Sequence, residues 1–370
     1  MSADSAVAPS HGSLIAKHWM LVFVPIAIAV EHMGGVAAPV RFLLAALAIV
    51  PIAHLISAST EHLSHYAGES VGGLLNATFG NLPELIIAIV ALKAGLYSMV
   101  AASLVGAVLF NLLLVLGLCF LLGGMRRHDL AFNAQAVRVY STTMFIAVVS
   151  LALPSLYQRV FAPDGVTESQ QTINVGLAGL LLVLFVLYLV FMLRTHPERF
   201  ASAAAAGDGD EAYEAPWKLA TCIAVLVVAS VLAALLSEIL VGAVEGTAKA
   251  FGLSGAFVGI VLLASVGGAA EGTSAVAMAR KDRLDLALGI ALGSCILISL
   301  FIAPVLVFAS YFVGPQPFLL AFSQGVVGLL FVSVLIGAMV CAGEVADWFK
   351  GVQLIAVYVM IGLLLYFVPL

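Results

Sequence analysis

The feature that most constrains this chain is a succession of long apolar runs, each interrupted briefly by charged residues, glycine or proline, from about residue 19 almost to Leu370. A transmembrane helix needs roughly 20 mainly apolar residues, and these runs supply that length repeatedly. Only 9% of the residues are charged, whereas soluble domains carry about 25%. The chain is therefore predicted to be an all-α polytopic membrane protein with the lipid bilayer as its solvent.

Charged residues, glycines and prolines divide the apolar sequence into segments, and these segments predict about 11 transmembrane helices. Six lie near residues 19–33, 38–63, 71–93, 96–122, 137–157 and 172–194, and five near 217–241, 253–279, 284–311, 318–342 and 350–369. The first run follows a polar leader, and we interpret it as a retained helix rather than a cleaved signal peptide. The stretch AAAAGDGDEAYEAP predicts an acidic linker between two halves. The predicted divisions are a tail with an extra helix (1–35), a first half (36–195), the linker (196–216) and a second half (217–370).

Charge and cysteine content exclude several classes of protein. A formal net charge of -5 argues against a nucleic-acid partner. The cysteines lie inside apolar runs without the spacing of a metal finger or a secreted disulfide framework, so they are predicted to be free buried thiols. They are Cys119, Cys222, Cys295 and Cys341. No resident cofactor is expected, and nothing in the sequence indicates the oligomeric state.

The basic residues predict the orientation of the chain, because successive loops lie on alternate sides of the membrane and cytoplasmic loops are rich in Lys and Arg. Of the 15 basic residues, four fall on one side, namely Arg41, Lys93, Arg159 and Lys249. The other eleven fall on the opposite side, namely Lys17, Arg126, Arg127, Arg138, Arg194, Arg199, Lys218, Arg280, Lys281, Arg283 and Lys350. The N-terminus and the linker are therefore predicted to be cytoplasmic. Separately, we expect the membrane to be the cell (inner) membrane.

Residues 72–117 and 259–304 align without a gap at a constant offset of 187 residues. The matched pairs include Gly80 with Gly267, Glu84 with Glu271 and Gly106 with Gly293. A half of five helices crosses the membrane an odd number of times, so the second half is predicted to be inverted relative to the first. Inverted repeats are typical of secondary transporters, which bind substrate near the midplane where the halves meet.

Glu84 and Glu271 are the candidate functional residues of this repeat. A charged side chain at the bilayer centre costs roughly 2.5 to 3.5 kcal/mol on insertion scales, so intramembrane carboxylates are usually functional. We predict that the pair binds a metal cation and accepts protons. The alternative is that each glutamate is protonated or caps a neighbouring helix.

Neighbouring residues supply further oxygen atoms of the kind that Ca²⁺ prefers. Pro83 cannot donate a backbone hydrogen bond, which should free the carbonyl of Phe79. The remaining candidate ligands are Asn81, loosened backbone at Gly267, and the side chains of Asn111 and Ser294. The alternatives are that the glycine only allows close helix packing and that Asn111 and Ser294 only bridge helices.

Several motifs resemble the cation/Ca²⁺ exchanger superfamily and, within it, the Ca²⁺/H⁺ antiporters. They are LLNATFGNLPELIIAIVALKAG, SLVGAVLFNLLLVLG, RKDRLDLALGIALGSC and the late DWFKG. The resemblance implies a ten-helix inverted-repeat core plus one N-terminal helix. It also implies that Glu84 and Glu271 are Ca²⁺ ligands and proton acceptors, with Asn81 as an additional ligand and Ca²⁺ and H⁺ as the transported substrates.

The chain departs from the pattern of that family, mainly in its second half. There, Gly268 and Gly272 stand where Asn and His are expected and Leu297 where Gln is usual; in the first half, Ala107 stands where Ser is usual. These changes leave both glutamates intact but remove polar side chains, so we expect looser discrimination among divalent cations.

Three functions remain open from the sequence. The first is exchange of a divalent cation for protons, in which Glu61 and Glu245 either relay protons or are solvated carboxylates at the membrane interface. The second is exchange coupled to Na⁺ instead of H⁺. The third is a membrane-embedded metalloenzyme built on His54, Glu61, His62, His65 and Glu69, which lacks an HExxH motif. We predict a transporter and not an enzyme.

The predicted orientation can be tested by chemical labelling of the linker. A cysteine introduced at Gly209 should react with a membrane-impermeant maleimide only when the cytoplasmic side is accessible, because the basic loops place the linker there. Labelling of this cysteine from outside intact cells would contradict the topology.

Overall fold

The computed structural model describes residues 19–67, 75, 78–125, 127, 129–161, 168–200 and 217–367. These residues form twelve helices and one small sheet. The first six helices are α1 (Trp19–His32), α2 (Ala38–Ala67), α3 (Leu82–Lys93), α4 (Tyr97–Gly124), α5 (Ala134–Phe161) and α6 (Glu168–Thr195). The others are α7 (Leu219–Phe251), α8 (Gly255–Gly267), α9 (Ala269–Arg280), α10 (Leu284–Val313), α11 (Gln324–Val340) and α12 (Trp348–Phe367). Strands β1 (Leu130–Ala131) and β2 (Val345–Ala346) pair antiparallel.

Seven of these helices are long and apolar enough to span a bilayer, namely α2, α4, α5, α6, α7, α10 and α12. The pair α8 and α9 counts as an eighth span that is bent by 59° at its break, and α1 and α11 are shorter apolar helices. Many large apolar side chains of the long helices are exposed, among them Leu180 and Val228, as expected for surfaces that face lipid. The protein is therefore an integral membrane protein. The four cysteines are free and buried, as predicted.

Two helices predicted as continuous, 71–93 and 253–279, are both interrupted, so those two predictions were wrong in this respect. In the first, Gly80 and Asn81 form a turn and α3 begins at Leu82. Pro83, at the start of α3, has no N–H with which to continue the preceding turn. In the second, the chain turns at Gly268 between α8 and α9. Most of residues 68–77 lie outside the described part of the chain.

The predicted helix at 318–342 was wrong in its first turns, because α11 begins only at Gln324. Phe318, Leu320 and Phe322 are buried in a segment without helical structure. Side chains of other helices satisfy its backbone. Asn174 bonds the carbonyl of Phe318 at 3.0 Å and the N–H of Leu320 at 2.9 Å, and Ser155 accepts from the N–H of Phe322 at 2.8 Å. Buried backbone can leave the helix only where such partners exist.

Two pairs of helices that the sequence alignment predicts to correspond, α2 with α7 and α4 with α10, run antiparallel to each other. Tyr66, at the end of α2, donates a hydrogen bond of 2.7 Å to the carbonyl of Trp217 just before α7. The Cβ of Ala38, at the start of α2, lies against Gly246 near the end of α7. For α4 and α10, Tyr97 bonds Gln316 at one end and Arg127 pairs with Asp282 at 2.8 Å at the other.

Helix boundaries also coincide with the 187-residue offset seen in the sequence. α3 and α9 each contain 12 residues, and their first residues, Leu82 and Ala269, are 187 positions apart. Each is followed by a residue with positive φ, Gly95 at 77° and Asp282 at 64°. Asp tolerates this left-handed conformation better than most residues other than Gly. π-helical segments interrupt α4 at Phe110–Val115 and α10 at Ile298–Ile302.

Buried apolar side chains form two clusters. One is built mainly on α1, α2 and α7, and a larger one mainly on α4, α5, α6, α9, α10, α11 and α12, while α3 and α8 contribute to both. Within the larger cluster α4 and α12 approach very closely, because Gly351 of α12 faces the carbonyl oxygen of Gly117 and the backbone of Leu121. Glycine at a helix interface permits such close approach.

The close contact between α4 and α12 predicts that Gly351→Ala destabilises the protein. A Cβ at position 351 would lie 2.5 Å from the carbonyl oxygen of Gly117, and overpacking of this kind typically costs about 1 to 3 kcal/mol. Thermal unfolding of the purified protein in detergent should show a lower midpoint. The control is Gly362→Ala on the same helix, where a Cβ meets nothing within 4 Å and the midpoint should hold or rise.

Candidate functional site

Glu84 lies in the first turn of α3, directly after the turn at Gly80 and Asn81. Both carboxylate oxygens of Glu84 are buried, and neither has a hydrogen-bond partner among the described residues. Asn81 precedes the helix and is also buried, and its Nδ2 likewise has no hydrogen-bond partner there. Buried polar atoms are nearly always satisfied in folded proteins. These buried atoms, together with the carboxylate of Glu271, make this turn the candidate functional site of the described residues.

Glu271 occupies the corresponding first turn of α9. Its Oε2 accepts a short hydrogen bond from the hydroxyl of Ser294 on α10. The two glutamates are close enough for their charges to repel each other, and the Asn81 side chain lies near the Glu271 carboxylate. The structure thus brings together Glu84, Asn81, Glu271 and Ser294 from both halves of the chain.

The two helix ends favour negative charge at this point. A helix N-terminus carries roughly half a positive elementary charge and four N–H groups without intrahelical partners. Because α3 and α9 both begin beside the carboxylates, each helix dipole offsets part of the cost of burying an ionised glutamate. The breaks at Asn81 and Gly268 are what allow these helix ends to form inside the apolar part of the protein.

A small cavity adjoins Glu84 and is lined by residues of α3, α4, α8 and α10. Most of its lining is apolar, but Ser103 adds a hydroxyl that also donates to the carbonyl of Val100 at 2.9 Å. The sequence analysis did not single out Ser103. The one feature that could have indicated it is a hydroxyl side chain one turn before Gly106 in an apolar helix. Gly267 lines the same cavity, and a Cβ there would lie 3.0 Å from Cγ of Glu84.

No contact with the two glutamates is seen for the other predicted ligands and relay residues in the described part of the chain. Phe79 is the last helical residue before the break and is half-buried. Asn111 is buried; its Nδ2 donates to the carbonyl of Ala107 in its own helix at 3.1 Å, while its Oδ1 has no hydrogen-bond partner among the described residues. Glu61 and Glu245 are exposed on α2 and α7 and do not line the cavity.

The histidines of α2 do not form a metal centre in the described part of the chain. His62 stacks on Trp217 with 4.5 Å between ring centroids, and the rings of His62 and His65 are 6.5 Å apart. His54 bonds Thr273 of α9 at 3.1 Å. Glu69 lies outside the described residues, and within them no group of three or more His, Cys, Asp or Glu side chains is arranged to hold a metal ion.

Known proteins resemble this chain over nearly its whole length. A Ca²⁺/H⁺ antiporter of Aphanothece halophytica is 37% identical over 360 residues, covering 95% of this chain and 96% of that protein. The Ca²⁺/H⁺ antiporter ChaA of Bacillus subtilis is 37% identical over 325 residues, covering 88% of this chain and 91% of that protein. These relatives are named as antiporters, which are transporters and not enzymes.

Solved structures agree with this likeness. The structure of native YfkE superposes with a TM-score of 0.80 at 32% identity, covering 95% of this chain and all of that one. The H⁺/Ca²⁺ exchanger CAX, at 14% identity and a TM-score of 0.70, shares the fold and covers 95% of this chain and 88% of that one. The family described as sodium/calcium exchanger protein matches residues 37–194 and 221–367, which confirms the resemblance expected from the motifs. The chain belongs to the sodium/calcium exchanger protein family.

Proposed function

We propose that this protein is a secondary transporter that exchanges Ca²⁺ for protons across the cell (inner) membrane. The observation that carries the proposal is the Glu84 carboxylate, whose two buried oxygens have no hydrogen-bond partner among the described residues, beside the carboxylate of Glu271. The names of the relatives, Ca²⁺/H⁺ antiporters, support this choice of substrates.

The same carboxylates serve both substrates in turn. Burial and mutual repulsion disfavour two ionised carboxylates, so the empty pair takes up protons. A divalent cation between them removes the repulsion and favours the ionised state, with Asn81 as a further oxygen ligand. Ca²⁺ and protons therefore compete for the same oxygens. When the site opens to alternate sides of the membrane, this competition couples the two flows.

The proposed framework is an inverted repeat of two five-helix halves with α1 outside it, eleven spans in all and the N-terminus in the cytoplasm. It is supported by the antiparallel pairs α2 with α7 and α4 with α10, and by the equal lengths of α3 and α9 at an offset of 187 residues. In this arrangement each half contributes one glutamate to a shared site near the bilayer midplane.

The shared site predicts that Glu84→Gln and Glu271→Gln each abolish exchange while the protein still folds. Glutamine keeps the size of the side chain but removes the charge, and a neutral amide costs less in the bilayer than an ionised carboxylate. The assay is Ca²⁺ uptake into liposomes driven by a pH gradient, with a parallel Na⁺ gradient to detect Na⁺-coupled exchange.

The matched control is Glu238→Gln. This glutamate on α7 is exposed and pairs with Lys93 at 3.7 Å, so its loss should leave uptake near wild type. Uptake by either site variant above about a tenth of wild type, a factor worth ~1.4 kcal/mol, would rule out the shared-carboxylate mechanism.

The contact between Gly267 and Glu84 predicts a graded effect on affinity. In Gly267→Ala the new Cβ would lie 3.0 Å from Cγ and 3.6 Å from Oε1 of Glu84, so the carboxylate must shift. We expect the apparent affinity for Ca²⁺ to fall roughly tenfold, measured from the concentration dependence of uptake. Gly255→Ala at the start of the same helix is the control, since a Cβ there meets nothing within 4 Å. Equal affinities in the two variants would contradict the placement of Glu84.

A further inference from the structure

The ring of Phe110 covers the turn of α9 that carries Glu271. Phe110 is the first residue of the π-helical segment of α4 and is only 8% exposed. A Cβ at Gly268 would lie 2.8 Å from its Cδ1 and 2.9 Å from its Cε1. A Cβ at Gly272 would lie 2.9 Å from Cγ2 of Val115, with Cε1 and Cζ of the same ring at 3.5 and 3.7 Å. The ring thus fills the space beside Gly268 and borders Gly272, where Val115 is the closer neighbour.

The two halves of the chain differ at this position. The residue 187 positions before Gly268 is Asn81, a buried amide that lies near the Glu271 carboxylate. The first half therefore supplies a polar side chain at the helix break. The second half supplies none, and the place that a side chain at position 268 would take is filled by the Phe110 ring. The ring and Gly268 are sterically matched, because a larger residue at position 268 requires a smaller one at position 110.

We propose that Phe110 is a specificity-determining residue of the exchanger, acting as an apolar wall on the α9 side of the cation site; this rests on the proposed function. With that side closed to an amide or to water, protein ligands come from the two carboxylates and from Asn81. The open space lies on the other side, in the cavity lined by Glu84 and Ser103. The cation is therefore held towards Glu84 and completes its coordination with water there.

This arrangement weakens the preference for Ca²⁺. Ca²⁺ takes six to eight oxygen ligands in flexible geometry, whereas smaller divalent ions such as Mg²⁺ take six and keep several waters. A site with few protein ligands and a cavity for water offers Ca²⁺ little advantage over a smaller ion. An amide at position 268 would add a protein ligand and favour Ca²⁺, provided that the ring is removed.

The test is a double-mutant cycle of Phe110→Ser and Gly268→Asn in the full-length protein reconstituted in liposomes. The measured quantity is the ratio of initial Ca²⁺ to Mn²⁺ uptake rates under a fixed pH gradient. The double variant should raise this ratio about fivefold, or ~1 kcal/mol, and Phe110→Ser alone should raise it less. Gly268→Asn alone should lower thermal stability, because its Cβ would meet the ring, and Phe110→Ser should restore it.

A control on the same helix distinguishes a purely structural role of the Phe110 ring from a role in ion selectivity. Phe120 is fully buried and stacks on Phe132, with 6.4 Å between the ring centroids. Phe120→Ser should lower stability without changing the ratio. If the Phe110→Ser variant gives no protein, the double variant Phe110→Ala with Gly268→Asn replaces it, and the same rise in the uptake ratio is expected.

The outcomes distinguish this inference from the function on which it rests. A wild-type protein that transports neither ion would overturn the proposed exchange itself. A wild type that transports Ca²⁺, with double-variant ratios within about twofold of its own, would overturn the role of Phe110 and leave the exchange standing. A ratio change in Phe120→Ser as large as in the double variant would overturn it as well.

Discussion

The burial of two carboxyl groups at the N-terminal ends of two helices is the constraint on which the rest of this structure depends. A carboxylate in the apolar part of a membrane protein needs compensation, and here two helix N-termini and the Ser294 hydroxyl supply part of it. Helix ends can lie inside the bilayer only if the helices are broken there. The turn at Asn81 before α3 and the turn at Gly268 before α9 meet that requirement.

The broken helices in turn constrain the packing around them. Backbone outside a helix is tolerated at membrane depth only where protein or a cavity surrounds it. The described helices meet this condition by approaching very closely at glycines. Gly106 of α4 lies against the backbone of Ile260 in α8, and Gly259 lies against Ala102. The glycines of these apolar runs thus allow a shell tight enough to enclose the irregular backbone beside the glutamates.

The sequence singles out those parts of the candidate site that differ chemically from an apolar background. Glu84 and Glu271 could be found because a charge in an apolar run is rare, and Ser294 because it follows a glycine that repeats at the same offset. Ser103 and Phe110 could not be found in this way. A serine or a phenylalanine in an apolar helix is ordinary, and its importance depends on which neighbour it faces in three dimensions.

The helical, membrane-spanning character of the fold was predicted better than the continuity of individual helices. Apolar length alone made 253–279 one helix, although the chain bends by 59° at its glycines. Likewise the apolar residues at 318–322 satisfied a helix pattern, but they are buried because Asn174 and Ser155 take over their backbone hydrogen bonds. Composition does not report which side chains will be present to do this.

The hydrogen bond between the thiol of Cys295 and the carbonyl of Val108 has a consequence for how the two halves are related. These residues are 187 positions apart, and Sγ and O are separated by 3.5 Å. In an arrangement with two-fold pseudo-symmetry, a residue can touch its own counterpart only close to the rotation axis, as in an isologous dimer. The axis of the proposed repeat therefore passes between Val108 and Cys295. If the two halves were identical and arranged symmetrically, a residue substituted at this position would contact the same substituted residue in the other half. One substitution would then change both sides of a single contact.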